Sequence, residues 1–376
     1  MSHYPLRVLM IGPTAYALGD TTHSTFAIWR RLAQGFDRLK VLARANGAGG
    51  AWTAEGVEVE LIRGVRRREL EFLASQFALV GRGRAFAPDV VVSQGVALGG
   101  WAAVRIAKRC GAGSLIEVHS DDHAGRAPIL SRKGLMQRLS APVFARATLI
   151  RVLSARMGEE LVALYGSALR EKIRVLPPRV DTKRFHPPAA RKLPDGRLDL
   201  AMIGTLNANK GQLRLIDALE RAGLPVTLHL FGKGPDHDAI DAIARAKGEG
   251  ALRIVVHGHV THDRLGETLA KCDALVMYSR KEGTPRAMME AMATGLPVIT
   301  TDAGFCADVI EHEREGVVLS TKETERDLAS HLEAFLADPS RLRAMGDAAL
   351  ARARDEFAAD KIYPRYRALI AEAAGR

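Results

Sequence analysis

Glu282 and Glu290, in the run from Arg280 to Ile299, place two carboxylates with seven residues between them around a helix start. Thr284 has an N-cap side chain, and Pro285 has the fixed φ that suits a first helical position. Glu282 then falls in a loop, and Glu290 on the helix about one turn further in. Two acids placed this way can accept hydroxyl hydrogens from one polyol. The unbonded N–H groups at the helix start, beginning beside Gly283, suit a phosphate, and Glu290 suits the hydroxyls of a ribose.

A second group of residues points to the same chemistry. From Gly204 to Gly211 a strand turns through glycine into a loop that ends in Lys210, just before a helix that starts near Gln212. An ammonium and free backbone donors then converge at a helix start, as a phosphate requires. Taken alone, a lysine in a glycine turn is an ordinary solvated side chain. The second tight turn, Phe231 to Pro235, and the nearby acids make it a site candidate. Arg286 lies four residues before Glu290, the spacing of a surface ion pair or of a second cation for the phosphate. In the first half, His119, Asp121, Asp122 and His123 follow a strand. No matching ligand cluster is evident elsewhere, so the expectation is no metal and a hydrogen-bonding role for His119. The loop after the first strand carries Gly19 ahead of a helix.

Short apolar, β-branched runs must position these groups. Arg7 to Gly12, Leu39 to Leu42, Val57 to Ile62, Asp89 to Ser93, Ser114 to Val118, Thr148 to Leu153 and Ile173 to Leu176 alternate with helical stretches. A proline-rich polar connection follows, and then Leu198 to Ile203, Val226 to Phe231, Leu252 to Val256, Ala274 to Met277, Pro297 to Thr300 and Gly316 to Leu319. Each series predicts an α/β domain with a doubly wound parallel sheet, the two facing each other across a cleft. The expected division is a first domain over 1–180, a linker over 181–199, a second domain over 200–355 and a terminal segment over 356–376. The acids fall at the carboxyl ends of the second sheet, where open α/β sheets bind ligands.

Composition narrows the classes. The chain has 376 residues, 47% of them hydrophobic, enough for two cores. Cys110, Cys272 and Cys306 are widely spaced and read as buried thiols. No apolar run approaches the roughly 18 residues that span a bilayer, and the first strand leaves no room for a signal peptide, so the expected location is the cytosol. Residues 1–190 carry 28 Lys and Arg against 15 Asp and Glu, whereas 191–376 carry 26 against 28. The basic half calls for an acidic partner: an anionic surface, a phosphate-bearing substrate or nucleic acid. Aromatics are only 5% of the chain, and no nucleic-acid motif appears, so nucleic acid is set aside. Arg66 to Arg68, Leu70, Phe72, Leu73, Phe77, Leu79, Val80, Arg82 and Arg84 have the composition of an amphipathic helix on an anionic membrane, and equally of a core helix with a basic end.

With these motifs in place the chain resembles glycosyltransferase family 4, retaining enzymes of the GT-B fold. The resemblance covers nearly the whole length and is most specific over Gly204–Gly211, Phe231–Pro235, His257–Val260, Ser279–Thr301 and Ala303–Asp308. It implies a nucleoside diphosphate sugar donor, with no cofactor or metal, and an acceptor bound by the basic first domain, of anionic or lipid-linked chemistry or a small metabolite. Lys210 would bind the diphosphate and Glu290 the ribose. Glu282 would sit over the sugar, and backbone around Gly258 to Val260 would line the base. His119 would contact the sugar from the other domain, and the last helix would pack back on the first domain. The chain departs from the family in three places: Thr205 stands where an arginine is usual, Asp20 follows Gly19 in place of a glycine, and Pro178 and Arg179 replace Asn-Gly. Arg286 is the expected substitute for the missing cation, which groups it with Gly19, Thr205, Lys210, Gly258, Val260, Gly283, Thr284 and Glu290 as donor-binding residues. A nucleotide-sugar epimerase, another GT-B enzyme, or a catalytically weak nucleotide- or carbohydrate-binding protein would keep the same site. A nicotinamide dehydrogenase is disfavoured, because no Gly-x-Gly-x-x-Gly follows either first strand.

Overall fold

The computed structural model describes residues 3–63, 68–119, 123, 125, 127–128, 131–189, 193–283, 286–320 and 323–376, with side chains left out at 13–14, 24 and 68–75. The chain divides into two compact units, Met1–Pro177 with Ile362–Arg376, and Pro178–Lys361. Among the described residues no helix is long and apolar enough to cross a membrane.

In the first unit, β1 (Tyr4–Tyr16), α1 (Ser24–Ala33), β2 (Phe36–Ala45), β3 (Gly50–Ala54), β4 (Val57–Ile62), α2 (Arg68–Phe86), β5 (Val90–Ser93) and α3 (Leu98–Cys110) come first. They are followed by β6 (Gly113–Glu117), α4 (Arg132–Arg146), β7 (Leu149–Val152), α5 (Ala155–Tyr165) and β8 (Ile173–Val175). The sheet order is β3-β4-β2-β1-β5-β6-β7-β8. The central strand β5 is buried at every position, which is why Val90 to Val92 read as an apolar run; β7 is buried throughout as well, although Arg151 interrupts its apolar residues. One strand was not foreseen: β3 pairs antiparallel with β4 through a turn in which Glu55 and Gly56 both have positive φ. Gly50, Ala51 and Ala54 disfavour a strand and leave only Trp52 and Thr53 as a signal, so the hairpin to the sheet edge decides its conformation. In α2, Leu79 and Phe86 are buried while Phe77 is exposed, so the helix has a core face. Arg66 and Arg67 of the expected membrane segment lie outside the described residues.

The second unit runs β9 (Leu198–Ile203), α6 (Gln212–Ala222), β10 (Val226–Phe231), α7 (His237–Lys247), β11 (Leu252–Gly258), α8 (His262–Leu269) and β12 (Ala274–Met277). It continues through α9 (Arg286–Ala293), β13 (Val298–Thr301), β14 (Gly316–Leu319), α10 (Thr324–Ala337) and α11 (Ser340–Arg352). All pairings in its sheet, β11-β10-β9-β12-β13-β14, are parallel. Leu198, Leu200 and Met202 of β9 face one apolar cluster and Ala201 faces the other, so both faces are covered. The order reverses between β9 and β12. The helices that follow those two strands, α6 and α9, pack on opposite faces of the sheet, and the loops leading to them lie at the carboxyl ends, in the crevice where open α/β sheets bind ligands.

Residues 181–199 are not a free linker. Phe185 is 1% exposed and belongs to the core of the second unit, and Val180 exchanges backbone hydrogen bonds with Phe357 and Ala359. A buried aromatic outweighs the polar, proline-rich composition around it. The last helix, α12 (Ala359–Ala373), starts at the end of the second unit and belongs to the first from Ile362 onward, where Ile370, Ala371 and Ala373 are buried.

Candidate functional site

The loops after β9 and β12 meet at the crevice of the second unit. Asn207 accepts from the Lys210 amide at 3.0 Å, while the fully buried Gln212 takes the Asn207 amide and donates to the Thr205 carbonyl, both at 3.2 Å. The loop is thereby folded back on the first turn of α6. Asn209 ties it to the other loop, donating to the Lys281 carbonyl at 3.0 Å and accepting from the Arg280 amide at 2.8 Å. Gly211 has φ +81°, and a Cβ there would stand 2.5 Å from the Tyr278 carbonyl, so only glycine permits this approach.

Lys210 Nζ donates to Glu282 Oε1, which also accepts from Ser279 Oγ at 2.6 Å. The two charged side chains are 21% and 10% exposed. Behind Glu282, Gly304 has φ +59° and lies so close that a Cβ would fall 1.6 Å from the Glu282 carbonyl. Cys306 is fully buried beneath, its thiol pushed up to about 12 by burial and then by the Glu282 charge. An ammonium and a carboxylate are thus held together, short of solvent, at the mouth of a parallel sheet. The ammonium can neutralise a phosphate, and the carboxylate can accept a hydroxyl or face a developing cation.

Glu290 is buried on α9, and Arg286 does not pair with it. Its Oε1 is 2.9 Å from His262 Nε2, on the first residue of α8. Arg184 Nη1 donates to His262 Nδ1 at 2.7 Å, so Nε2 carries the proton that reaches Glu290. Arg184 also pairs with Asp263 at 3.0 Å, and the Phe185 ring packs edge-on against His262. The stretch read as a linker therefore supplies part of this chain. Arg286 is exposed at the start of α9. Gly283 is described and half-buried; Thr284 and Pro285, read as N-cap and first helical residue, lie outside the described residues.

Gly258 ends β11 with φ +67°, its carbonyl taking the Gly232 amide at 2.7 Å, and Val260 packs partly buried on the apolar core. His257 stacks on Phe231 at 4.4 Å and lies 3.0 Å from His229, itself 3.0 Å from Asp199. Burial, then the neighbouring His229, holds the His257 pKa below the usual histidine value. Thr205 is exposed.

In the first unit His119 follows β6, and its side chain is 42% exposed. His123 is buried, with Nδ1 2.8 Å from the Tyr165 hydroxyl and its ring edge-on to Phe144, which makes it a packing residue. Asp121 and Asp122 lie outside the described residues. Gly19 has φ +77°, and Asp20 after it accepts from the Thr22 amide, the Thr22 hydroxyl and the His23 amide. The Thr22 hydroxyl bond chiefly holds Asp20 below the usual carboxylate range, so this residue shapes the entry to α1. Among the described residues, one group with metal-ligand geometry escaped the sequence reading: His312, Glu313 and His331 have ligand atoms within 4.8 Å of one another. They already serve the backbone and Arg341: His312 Nδ1 accepts from the Val318 amide at 3.1 Å, and Glu313 pairs with Arg341 at 2.7 Å.

Gln212, Ser279, His262, Arg184 and Gly304 were not singled out from sequence. Gln212 alone carried a local signal, as the first residue of a helix directly after Lys210 and Gly211.

Comparison with known proteins fits this geometry. Residues 186–352 match the family profile "Glycosyl transferases group 1", and residues 22–179 match "Glycosyl transferase 4-like domain". A glycogen synthase of Mycobacterium tuberculosis is 30% identical over 208 residues, 54% of this chain and 49% of the relative. A GDP-mannose-dependent alpha-mannosyltransferase of the same species is 30% identical over 268 residues, 66% of this chain and 65% of the relative. The chain spans about half the length of several curated relatives it matches. Among solved structures, Anabaena HepE in complex with UDP superposes with TM-score 0.74 at 18% identity, covering 97% of this chain and 100% of that one. Sucrose-phosphate synthase from Thermosynechococcus elongatus gives 0.78 at 18% identity, covering 97% and 99%. These likenesses show the fold, which is GT-B.

Proposed function

We propose that this chain, which belongs to glycosyltransferase family 4, moves a sugar from a nucleoside diphosphate donor to a hydroxyl acceptor with retention of configuration. The observation that carries this reading is the contact between Lys210 and Glu282 at the point where the second sheet reverses its order. Negative charge grows on the departing phosphate oxygen as the glycosidic bond breaks, and a fixed cation at that position lowers the barrier. Lys210 supplies the cation. Arg286, exposed at the start of α9, is the second, standing in for the arginine absent at Thr205. Glu282 holds the sugar and faces its oxocarbenium character, while Glu290, oriented by His262, holds the ribose. Gly283 offers backbone to the phosphates, and Gly258 and Val260 line the base. The acceptor hydroxyl attacks on the face from which the diphosphate departs, and the leaving phosphate takes its proton. Neither a metal nor a cofactor enters these steps.

HepE binds UDP in its solved structure, which supports a nucleoside diphosphate donor here. The relatives named above are transferases, which favours transfer over the epimerase and binding-only readings. The excess of Lys and Arg in residues 1–190 fits an anionic or lipid-linked acceptor and a peripheral contact with the cytosolic face of a membrane. Co-sedimentation with anionic liposomes that ignores salt and lipid charge would remove that contact. His119 is the proposed hydrogen-bonding group to the transferred sugar, with Gly19 in the loop ahead of α1 a further donor contact. A melting-temperature screen against UDP, GDP and their sugars identifies the donor, since a ligand of the folded state must raise stability. Turnover at the wild-type level in both Lys210→Ala and Glu282→Ala would refute the assignment. For Arg286→Ala the expected result is weakened donor binding with the fold intact; unchanged affinity would remove Arg286 from the phosphate site.

A further inference from the structure

Glu117 closes β6 two residues before His119, and its side chain is fully buried. A charge at that depth needs a partner. Arg151 on β7 is that partner, donating through Nη1 to Glu117 Oε1 at 2.6 Å. Arg151 is itself 4% exposed, and its Nε and Nη2 donate to the carbonyls of Leu176 and Pro177 at 3.0 and 3.1 Å. Its guanidinium also lies over the ring of Tyr366 on α12, 4.7 Å from the centroid. One cation thus joins β6, β7, the last residues of the first passage through this unit, and the helix that returns to it. Burial opposes ionisation of Glu117, but the Arg151 charge, with His119 and the Tyr366 hydroxyl added, holds its carboxyl down at about 2.

Arg151 engages only one of the two carboxylate oxygens. Oε2 is buried and receives no hydrogen bond of ordinary geometry, yet His119 Nε2 stands 3.5 Å away. A pair serving stability alone gains most from a two-point contact between carboxylate and guanidinium. Here two further N–H groups of the arginine go to backbone carbonyls, and the second carboxylate oxygen lies 3.5 Å from the half-exposed histidine. Hydrogen bonds at reacting centres are commonly long before ligand binds and tighten afterwards.

We propose that Glu117 is the positioning residue of His119: Oε2 takes the Nε2 proton, which fixes the ring and leaves Nδ1 as acceptor for a hydroxyl hydrogen of the sugar. The logic is that of a carboxylate orienting a working imidazole through its far nitrogen. It rests on the transferase reading only for the identity of the hydroxyl. Arg151 keeps the carboxylate charged and in place.

The test combines kinetics with a measurement that needs no turnover. In Glu117→Gln, kcat should fall about 10- to 100-fold, the range for losing an orienting group behind a working histidine. The double variant with His119→Ala should be no slower than His119→Ala alone, because both changes interrupt one path. Losses that multiply in the double variant would overturn the proposal, as would wild-type kcat in a folded Glu117→Gln protein. Should that variant not fold, the His119 Nε2–H resonance of the wild-type protein still decides. Slow exchange with solvent and a downfield position are expected, and rapid exchange even with donor bound would overturn the link. The signal does not depend on Lys210, so a failed transferase assignment and a failed Glu117 assignment give different results.

Discussion

Replacing Lys210 by methionine separates what the Lys210–Glu282 contact does for the fold from what it does for turnover. The stem of Lys210 is kept in volume, and the ammonium is lost. Glu282, 10% exposed, then retains the Ser279 hydroxyl at 2.6 Å as its neutral donor. Breaking a buried pair from one side costs about 3–5 kcal/mol. Since the lysine is 21% exposed and one hydrogen bond survives, about 2 kcal/mol is expected here. At roughly 2–4 °C per kcal/mol for a unit of this size, the melting temperature should drop by about 4–8 °C. Adding Glu282→Gln removes the orphaned charge, so the double variant should regain all but about 1 kcal/mol. Turnover should behave differently. Each single change is expected to lower kcat by about 100-fold or more, and the double variant should be no better. Calorimetry and steady-state kinetics on the four proteins measure both. A double variant that recovers turnover along with stability would show that the pair is structural and that the reasoning is wrong.

His262→Ala should raise the donor KM by about 10-fold while kcat changes less than about 3-fold, because it frees Glu290 without touching Lys210; a collapse of kcat at unchanged KM would contradict the ribose role. Gly304→Ala has to displace the Glu282 loop, since its Cβ would lie 1.6 Å from the Glu282 carbonyl at φ +59°; a loss above about 2 kcal/mol in chemical denaturation, with activity falling in step, is expected. Glu117 also carries a pH signature. Its folded pKa of about 2 lies below the 4.5 of a free glutamate, so its contribution is fully present above about pH 4.5 and is lost as the pH falls through 2. That contribution is on the order of 3 kcal/mol, and acid unfolding should be steeper in the wild type than in Glu117→Gln; equal slopes would count against the buried charge.

Strands such as Val57–Ile62, Leu198–Ile203 and Ala274–Met277 were legible to the residue: Ala274–Met277 is a continuous apolar run buried at every position, whereas Val57–Ile62 alternates buried apolar residues with the half-buried Glu58 and Glu60. Asp338 before Pro339 ends α10 ahead of α11 by a rule just as local, since proline disfavours helical backbone at the residue before it. The residue types of the site were legible too: Lys210 in a glycine turn, and Glu282 and Glu290 around a helix start. Which of them touch was not. Lys210 and Glu282 lie 72 positions apart, and they meet because the sheet places β12 beside β9 on the side opposite β10. Strand order is a property of the whole sheet, and no local pattern encodes it.

The partners that finish the site were hidden for the same reason. His262 is one histidine at the start of a short helix, and only packing against Phe185 and α9 turns it toward Glu290. Arg184 sat in a stretch whose prolines and charges outweighed the signal of one phenylalanine, until burial of Phe185 drew it into the core. Glu117 drew no reading of its own in the sequence; Arg151 from the next strand and Tyr366 from the returning helix make its charge sustainable. Sequence by itself determined which chemistry-bearing residue types the chain carries and, β3 apart, where its strands fall, since those follow from residue type and short-range periodicity. Pairing of charges, burial of polar groups and orientation of the histidines were decided by the tertiary structure, because each depends on atoms that only the folded sheet order brings within a few ångströms.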